Sequence, residues 1–282
     1  MNVSRRRILS WFFLPAAVRG APERVVTAEY RAKATVLLFS LPLFHRANVG
    51  TGYLRVGERE EGEKRHLRLE FGAGSLPEKA AGLNRLGIFE ETVVERSNRV
   101  ESAEYAGFMT TSKEKDLNEA KSALASGDAL TFTAVRGSIK GGVFSSRLLR
   151  VTGLPAKTWV NRDELKSHVL SRLAESGGEG RQNAPLGGEP CSPFLYAVRE
   201  AMRTTAANDT RRFAHNGKIH RLRTKKSQAR QGEMEMEGKI DDEKGAELSS
   251  FKLWFAADKP QAGPLRFEFR PRSFLRLRFE RV

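Results

Sequence analysis

Apolar and polar residues alternate along many short segments of this chain, a pattern typical of β-strands with one buried face. Within residues 67–71, Leu67, Leu69 and Phe71 alternate with charged residues, as expected where one sheet face is buried and the other wet. Similar segments, separated by glycines, lie at 28–40, 50–56, 92–96, 104–109, 130–136 and 143–151. The alternation therefore predicts a β-rich protein.

The clearest alternation lies at the C-terminus, where arginine or glutamate occupies most of the even positions. The apolar residues at odd positions include Phe267, Phe269, Leu275, Leu277 and Phe279. Because the phase holds across Pro271, we expect two strands joined by a kink or a bulge, with the arginines outward. The apolar set would either line a ligand cavity or pack in the core.

An Asn-Gly pair and two charge runs predict how later strands pair. Asn216-Gly217 lies between two strand-like segments, which is a strong signal for a tight hairpin. Downstream, three glutamates alternate with methionines, and we expect them to face three basic residues across the sheet. The glutamates are Glu233, Glu235 and Glu237, and the basic residues are Arg221, Arg223 and Lys225.

Two or three short helices interrupt the strands. Asn161 and Glu164 form an approximate capping box before a helix that Gly177 would end. A second helix opens at Ser192, and a third is expected over residues 113–126. Residues 177–190 are rich in glycine and proline and are expected to form a loop. We therefore predict a single β-rich domain over residues 21–282, with a helix-plus-loop insertion at about 161–190.

The first 20 residues have the layout of an export signal, with arginines before a short apolar segment and small residues at its end. The segment Ser4-Arg5-Arg6-Arg7-Ile8-Leu9 is similar to the twin-arginine signal, and ordinary secretion is the alternative. The residues that carry the similarity are Ser4, Arg5, Arg6, Ile8 and Leu9. Residues 8–18 are too few for a permanent membrane span. We expect cleavage after Gly20 and a soluble periplasmic or otherwise exported protein.

The formal net charge is +15, and removal of residues 1–20, with four arginines and no acidic residue, leaves +11. Such a charge attracts polyanions. In an exported protein, anionic lipid or another anionic envelope component is a more accessible partner than nucleic acid. Alternatively, the basic residues only keep the exposed strand faces polar and form no dedicated anion site.

Known catalytic and ligand motifs are lacking in the sequence. None of the five histidines forms a helical metal pair, and His215 with His220 makes a poor zinc site without further ligands. Cys191 is the only cysteine and is expected to be a small buried side chain. We therefore predict no catalytic, cofactor-binding or metal-binding residues, and no cofactor.

Three segments in the same order resemble the bacterial exported proteins grouped as the domain of unknown function 3108 family. They are the helix segment C-S-P-F-L-Y-A-V-R at 191–199, G-I-F-E-E-T-V-V-E-R-S at 87–97, and L-W-F-A-A-D-K-P-Q-A-G-P-L-R-F-E at 253–268. Where the family's helix motif begins with aspartate, this chain has Cys191 or Ser192. The resemblance implies a periplasmic, mainly antiparallel β protein with a strongly curved or partly closed, open-barrel-like sheet.

These features lead to three functional hypotheses. The first is a non-enzymatic envelope protein whose curved sheet binds an apolar or amphiphilic ligand such as a lipid. The second is a structural or assembly factor that contacts envelope proteins or polymers through sheet edges. The third is a hydrolase whose catalytic residues come together only in space.

Overall fold

A computed structural model gives the structure of this chain. It describes residues 22–38, 41–76, 78–80, 85–110, 130–154, 167, 171, 172, 175, 182–229, 232–272 and 275–282. In this part of the chain, one large sheet of 15 strands contains most residues, and the prediction of a mainly β fold is confirmed. The predicted export signal, residues 1–20, lies outside the described residues.

The strands are numbered in chain order. The first eight are β1 (Arg24–Leu38), β2 (Leu41–Glu61), β3 (Lys64–Ser75), β4 (Leu86–Arg96), β5 (Arg99–Thr110), β6 (Leu130–Lys140), β7 (Val143–Leu154) and β8 (Gln182–Pro185). The remaining seven are β9 (Cys191–Pro193), β10 (Asn208–His215), β11 (Lys218–Gln228), β12 (Glu233–Asp241), β13 (Glu247–Ala256), β14 (Arg266–Arg272) and β15 (Leu275–Arg281).

The strand order is simple, because the long strand β1 lies in the middle and both halves of the chain extend outward from it. On one side β2 to β8 follow in chain order, and on the other side β15 back to β9 follow in reverse. Neighbouring strands are antiparallel except for β9 and β10, which are parallel. The sheet is not closed, because its two edge strands, β8 and β9, are not paired with each other.

The sheet curls so that strands near one edge pack onto the inner face of strands near the other. Ala214 and Ile219, at the end of the β10–β11 hairpin, belong to the same buried cluster as Tyr105 of β5 and Phe144 of β7. A Cβ atom at Gly217 would lie 2.5 Å from Cδ1 of Leu148 in β7. The expectation of a strongly curved, partly closed antiparallel sheet is therefore confirmed.

The described residues contain one continuous α-helix, α1 (Phe194–Arg203). It matches the helix expected at Ser192, although Ser192 itself belongs to β9. The helix expected at 113–126 lies outside the described residues. Within 161–177 only residues 167, 171, 172 and 175 are described, and all four are helical and exposed. No helix in the described ranges is long and apolar enough to cross a membrane.

Two local predictions about loops and strand ends were wrong. The segment 177–190, expected to be a loop, contributes the edge strand β8, which pairs with β7. The C-terminal strands β14 and β15 form an antiparallel pair with Phe267 opposite Phe279, so the chain reverses direction between them. A register irregularity does lie between Phe269 and Arg272. Alternation could not distinguish a kink from a reversal, because both keep odd residues on one face.

The predicted Asn-Gly turn is confirmed, since both residues have positive φ angles, 48° at Asn216 and 74° at Gly217. The predicted pairing of the charge runs was mostly wrong. Lys225 does face Glu237, but the other pairs are offset. The observed ion pairs are Arg223 with Asp241, Lys252 with Glu235, and Arg266 with Glu233. The register follows the length of the β11–β12 connection, which charge alternation does not report.

Candidate functional site

Helix α1 lies against the concave face of the sheet and packs through its small and flexible residues. Ala197 contacts a cluster with Phe213 of β10 and Leu222 of β11. Ala201 and Met202 belong to a second cluster, which includes Met236 of β12. Small side chains at the contact let the helix approach the strands closely, which fixes the position of its other face.

The N-terminus of α1 is bound by a carboxylate from the sheet. Glu91 lies opposite Leu69 in the β3–β4 pair and is buried. Its two carboxylate oxygens accept hydrogen bonds from the backbone N–H groups of Leu195 (2.7 Å) and Tyr196 (2.8 Å). The N-cap residue, Pro193, provides no side-chain cap, so Glu91 satisfies N–H groups that would otherwise lack partners.

Burial raises the pKa of Glu91 to about 8, against the lowering effect of the backbone N–H groups that it binds. Removal of the carboxylate from water is therefore the dominant influence on its protonation. The positive end of the helix dipole also favours the ionised form of Glu91, but burial has the larger effect. Glu91 consequently positions α1 and has no geometry that suggests catalysis.

The C-terminus of α1 is bound by a cation from the opposite half of the sheet. The Nζ atom of Lys226, in β11, donates to the backbone carbonyl of Ala201 at 3.0 Å and also to that of Thr204. Burial lowers the pKa of this ammonium group. The last carbonyls of a helix carry partial negative charge, so Glu91 and Lys226 complement the two ends of α1.

A network of charges ties the middle of α1 to β2, β3 and β4. Nη2 of Arg199 donates to Glu58 at 3.0 Å, and Arg65 donates to both Glu58 (2.5 Å) and Glu95 (3.2 Å). The hydroxyl of Tyr196 donates to Glu95 at 3.1 Å. Although burial opposes it, Arg65 and the other nearby guanidinium groups hold the pKa of Glu58 below its ordinary value. The network therefore contains paired, ionised groups.

Between α1 and the sheet lies a cavity of about 310 Å³ that opens partly to solvent. Its strand walls come from β1, β2, β3, β12, β13 and β14, and α1 forms the opposite wall. The lining from α1 is Phe194, Leu195, Val198, Arg199 and Met202. The lining from the strands is Tyr30, Leu54, Val56, Leu69, Phe71, Ala73, Ile240, Ser249, Phe251, Leu253, Phe267 and Phe269. The cavity is thus almost entirely apolar.

The helix side chains that face the cavity are less buried than those that face the sheet. Phe194, Leu195 and Val198 are half-buried, whereas Ala197 and Ala201 are fully buried. An apolar side chain that is only half-buried retains contact with water, which is unfavourable unless another molecule covers it. This face of α1 is therefore a surface that an apolar ligand can cover.

The C-terminal apolar residues predicted to line a cavity or the core fall into two groups in the structure. Phe267 and Phe269 line the cavity. Phe279 stacks on Phe267, with ring centroids 4.6 Å apart, and it is buried in a cluster around β1 against which the half-buried Leu277 packs. Leu275 is half-buried. The set thus contains both residues that face the cavity and residues of the core behind it.

Arg199 is the charged residue of the cavity lining. Its side chain is 7% exposed, its Nη1 atom donates to Glu200 at 3.0 Å, and its Nε atom is buried without a hydrogen-bond partner. Burial and the nearby Arg65 charge lower the pKa of the guanidinium. An unpaired buried N–H group is costly, and Arg199 is the cavity-lining residue that carries one.

The remaining candidates for chemistry lie apart from the cavity lining. His215 and His220 approach each other, with ring centroids 6.4 Å apart, and burial lowers the pKa of both. Oγ1 of Thr35 lies 3.1 Å from Nδ1 of the exposed His45, outside any cleft that the structure describes. Burial raises the pKa of the Cys191 thiol to about 11. Among the described residues, no group of three or more side chains has the arrangement of a metal site.

Sequence analysis missed Glu91, Arg199 and Lys226, which position α1. A signal for two of them exists in the pairs Glu90-Glu91 and Lys225-Lys226. Because successive strand residues point to opposite faces, one member of each pair had to face inward. Arg199 gave no such signal, since a charged residue in an amphipathic helix is ordinarily exposed.

Comparisons with known proteins identify no family for this chain. No protein-family model matches it, and no curated protein matches it significantly. Among solved structures, the chain is similar to a β-barrel-like protein of domain of unknown function 1849 from Brucella abortus. The sequence identity is 8%, the TM-score is 0.46, and the match covers 93% of this chain and 98% of that one.

Proposed function

We propose that the protein is a non-enzymatic binding protein that holds the apolar part of an amphiphilic or apolar molecule between α1 and the sheet. The cavity carries this proposal. Its volume of about 310 Å³ is within the range of small-molecule sites, and such sites combine an apolar lining with a few polar groups. Here the apolar lining is extensive, and Arg199 supplies the polar group.

The partly exposed apolar lining of the cavity supports a ligand. Half-buried side chains of this lining, such as Phe194 and Val198, stay in contact with water. A ligand that covers them would remove apolar surface from water, which contributes about 25 cal/mol for each Å².

The charges around Arg199 favour a ligand with a hydrogen-bond acceptor rather than a free cation. Arg199 already contacts the carboxylates of Glu58 and Glu200, and Arg65 adds a further positive charge nearby. The donor that remains is the Nε–H group. A carbonyl, hydroxyl or ester oxygen at the end of an apolar chain would satisfy this donor.

A cavity-filling variant with a matched control tests the binding proposal. Val198→Trp places a large ring on the half-buried helix face that lines the cavity, whereas Val143→Trp makes the same change at an exposed position of β7. Binding of an environment-sensitive fluorescent fatty acid is measured by titration. We expect Val198→Trp to weaken binding at least about tenfold, since a ligand loses the volume it needs, and Val143→Trp to bind like the parent. Equal affinity of all three proteins would contradict the proposal.

Mass spectrometry of an organic extract of the purified protein provides an independent test. A ligand that fills the cavity tightly should co-purify with the parent protein and be depleted from the Val198→Trp variant. The mass and fragmentation of the extracted molecule would identify its chemical class. An extract without an apolar molecule, together with no binding of fluorescent fatty acid, would leave the structural or assembly role as the better hypothesis.

We also propose that the protein is exported to the periplasm or beyond, where its ligand would be an envelope lipid or a related amphiphile. The support is the sequence of residues 1–20, with Arg5 and Arg6 in the arrangement of a twin-arginine signal. Cell fractionation with antibody detection tests this. Arg5→Lys with Arg6→Lys should keep the protein in the cytoplasm if the twin-arginine route is used, and export should persist if the general route is used.

The resemblance to the domain of unknown function 3108 family supports the same proposal of an exported β protein. Its three segments fall on α1, on β4 and on β13–β14 of this fold, and all three elements contribute to the site. The segment in β4 contains Glu91, which binds the N-terminus of the helix segment. We therefore propose that the similar segments share the task of holding α1 on the concave face.

A further inference from the structure

The hairpin of β1 and β2 extends beyond its neighbours at one end of the sheet. The pairs between β1 and β15 end at Val36, and those between β2 and β3 begin at Gly50. The pairing of β1 with β2 continues to Leu38 and Leu41. The end of this hairpin, which we call the tip (residues 36–38 and 41–44), therefore extends past the pairing of the flanking strands.

The tip has an unusually apolar sequence. Six of its seven residues are Val, Leu or Phe, and Leu37 among them is buried. Phe44 is 58% exposed, and Pro42 is also exposed. A large aromatic side chain exposed in a strand that projects from the sheet is unfavourable in water. Such a tip is therefore suited to contact with an apolar environment outside the protein.

Basic residues surround the tip. Arg46 lies opposite Ala34 and Arg276 lies opposite Thr35, next to the tip. Lys33 and Arg278, farther along the strands, are paired with Glu280. Strand pairing of β1 with β15 places the β14–β15 turn at the same end of the sheet as the tip. Arg46 and Arg270 are exposed there, and Arg276 is half-buried.

Acidic residues at this end of the sheet lie in other connections. Among the described residues they include Glu78 in the β3–β4 connection, Asp242 and Glu243 in the β12–β13 turn, and Glu247 at the start of β13. Glu247 is paired with Lys239, and the Oδ1 atom of Asp242 accepts backbone hydrogen bonds within its own turn. Among the residues that the structure describes at this end, the basic side chains beside the tip and the β14–β15 turn thus carry a local positive charge.

The cavity also reaches this end of the molecule. Ser249, near the start of β13, is exposed and lines the cavity, and Phe269 and Ala73 line it close to the same ends of their strands. The β12–β13 and β14–β15 connections and the tip all lie at this end. At the opposite end, Pro260, Gln261, Gly263 and Pro264 of the β13–β14 connection line the cavity.

We propose that the tip and the surrounding arginines bind the surface of an anionic lipid bilayer, with Phe44 inserted among the acyl chains. An apolar segment flanked by arginines and lysines binds membranes through burial of apolar area and attraction to anionic head groups. This inference does not depend on the proposed ligand, because it rests on the outer end of a hairpin rather than on the cavity.

Vesicle co-sedimentation with matched aspartate variants tests the apolar contact. The protein used begins at Ala21, because the apolar segment of residues 8–18 would itself bind lipid. Phe44→Asp changes the tip, whereas Val25→Asp changes an equally exposed residue (59%) near the opposite end of β1. With vesicles that contain phosphatidylglycerol, we expect Phe44→Asp to weaken binding at least about tenfold. Val25→Asp should bind like the parent.

Charge reversal tests the electrostatic contact. Arg46→Glu lies next to the tip, and Arg99→Glu, at the β4–β5 turn, lies at the opposite end of the sheet. We expect Arg46→Glu, which changes the charge by two units, to weaken binding to phosphatidylglycerol vesicles about 25-fold, from about fivefold for each unit of charge. Arg99→Glu should have a much smaller effect. Binding of the parent should fall as salt is added and be weak with phosphatidylcholine alone.

Fluorescence of Phe44→Trp provides a readout that is independent of binding strength. Insertion of the tip should shift the emission of the new tryptophan to shorter wavelength when phosphatidylglycerol vesicles are added. No vesicle binding by the parent, or equal loss of binding in Phe44→Asp and Val25→Asp, would overturn the proposal. Val198→Trp should still bind vesicles, so failure of ligand binding and failure of bilayer binding are separable.

Discussion

The buried carboxyl group of Glu91 should make the stability of this protein fall as the pH rises toward 8. In the folded chain, burial raises the pKa of Glu91 from its ordinary value of 4.5 to about 8. The folded state therefore keeps a proton that the unfolded state loses above pH 4.5. Stability from this proton is fully present below pH 4.5 and is lost as the pH rises through 8.

The size of the effect follows from the difference between the two pKa values. At about 1.4 kcal/mol for each pH unit, the interval from 4.5 to about 8 corresponds to roughly 5 kcal/mol in the free energy of unfolding. Glu91→Gln has nearly the same shape but cannot ionise. At low pH, where the parent has a neutral carboxyl group, Glu91→Gln should therefore have a lower free energy of unfolding than the parent. At pH 8 the free energy of unfolding of the variant should be more favourable relative to that of the parent.

Urea unfolding, followed by circular dichroism between pH 4.5 and 8.5, measures this effect directly. The free energy of unfolding of the parent minus that of Glu91→Gln should decrease by several kcal/mol across this range. Glu104→Gln, at an exposed position of β5, is the control and should follow the pH dependence of the parent. A difference between parent and Glu91→Gln that stays constant with pH would refute the reasoning.

Three further predictions concern stability and reactivity. Lys226→Met removes the ammonium group bound to the Ala201 carbonyl and should lower the free energy of unfolding by about 1–3 kcal/mol in urea titrations. Gly50→Ala should cost about 1–3 kcal/mol and lower the thermal midpoint, because its Cβ would lie 2.5 Å from the rigid backbone oxygen of Gly74. Cys191, whose pKa burial raises to about 11, should react with a thiol reagent at pH 8 only after unfolding, and rapid reaction of the folded protein would contradict its burial.

The strands of this fold could be predicted from sequence because each has one buried face and one solvent-exposed face. In β3 the alternation of Leu67 and Leu69 with charged residues marks the inner face directly. The turn at Asn216-Gly217 could be predicted because few residues other than Asn, Asp and Gly readily adopt two successive positive φ angles. Both signals are local and depend on neighbouring residues alone.

The pairing of strands and their direction could not be predicted in the same way. Phe267 and Phe279 share one face whether β14 and β15 form a hairpin or a single kinked strand. Arg223 lies beside Asp241 rather than a residue of the glutamate run because the β11–β12 register is offset. These choices depend on the lengths of the connections and on packing across the sheet, and alternation of residue types carries neither.

Only part of the site could be predicted from the sequence. The apolar residues Phe267 and Phe269 could be proposed as cavity or core, because they are the inward residues of a C-terminal strand. Glu91 and Lys226 could be recognised only as members of charged pairs, since the register decides which member faces inward. The cavity exists only once both halves of the sheet curl around α1.

The hydrogen bonds that hold the two ends of α1 explain why the cavity remains open. If apolar contact alone held the helix, α1 would move closer to the concave face, because burial of Leu195 and Val198 would stabilise the protein. The cavity would then close. Glu91 instead binds the N-terminus of α1 from β4, and Lys226 binds its C-terminus from β11. Such contacts are directional and short in range, so they fix the helix at a distance that leaves these side chains half-buried. The apolar face of α1 thereby stays available to a ligand.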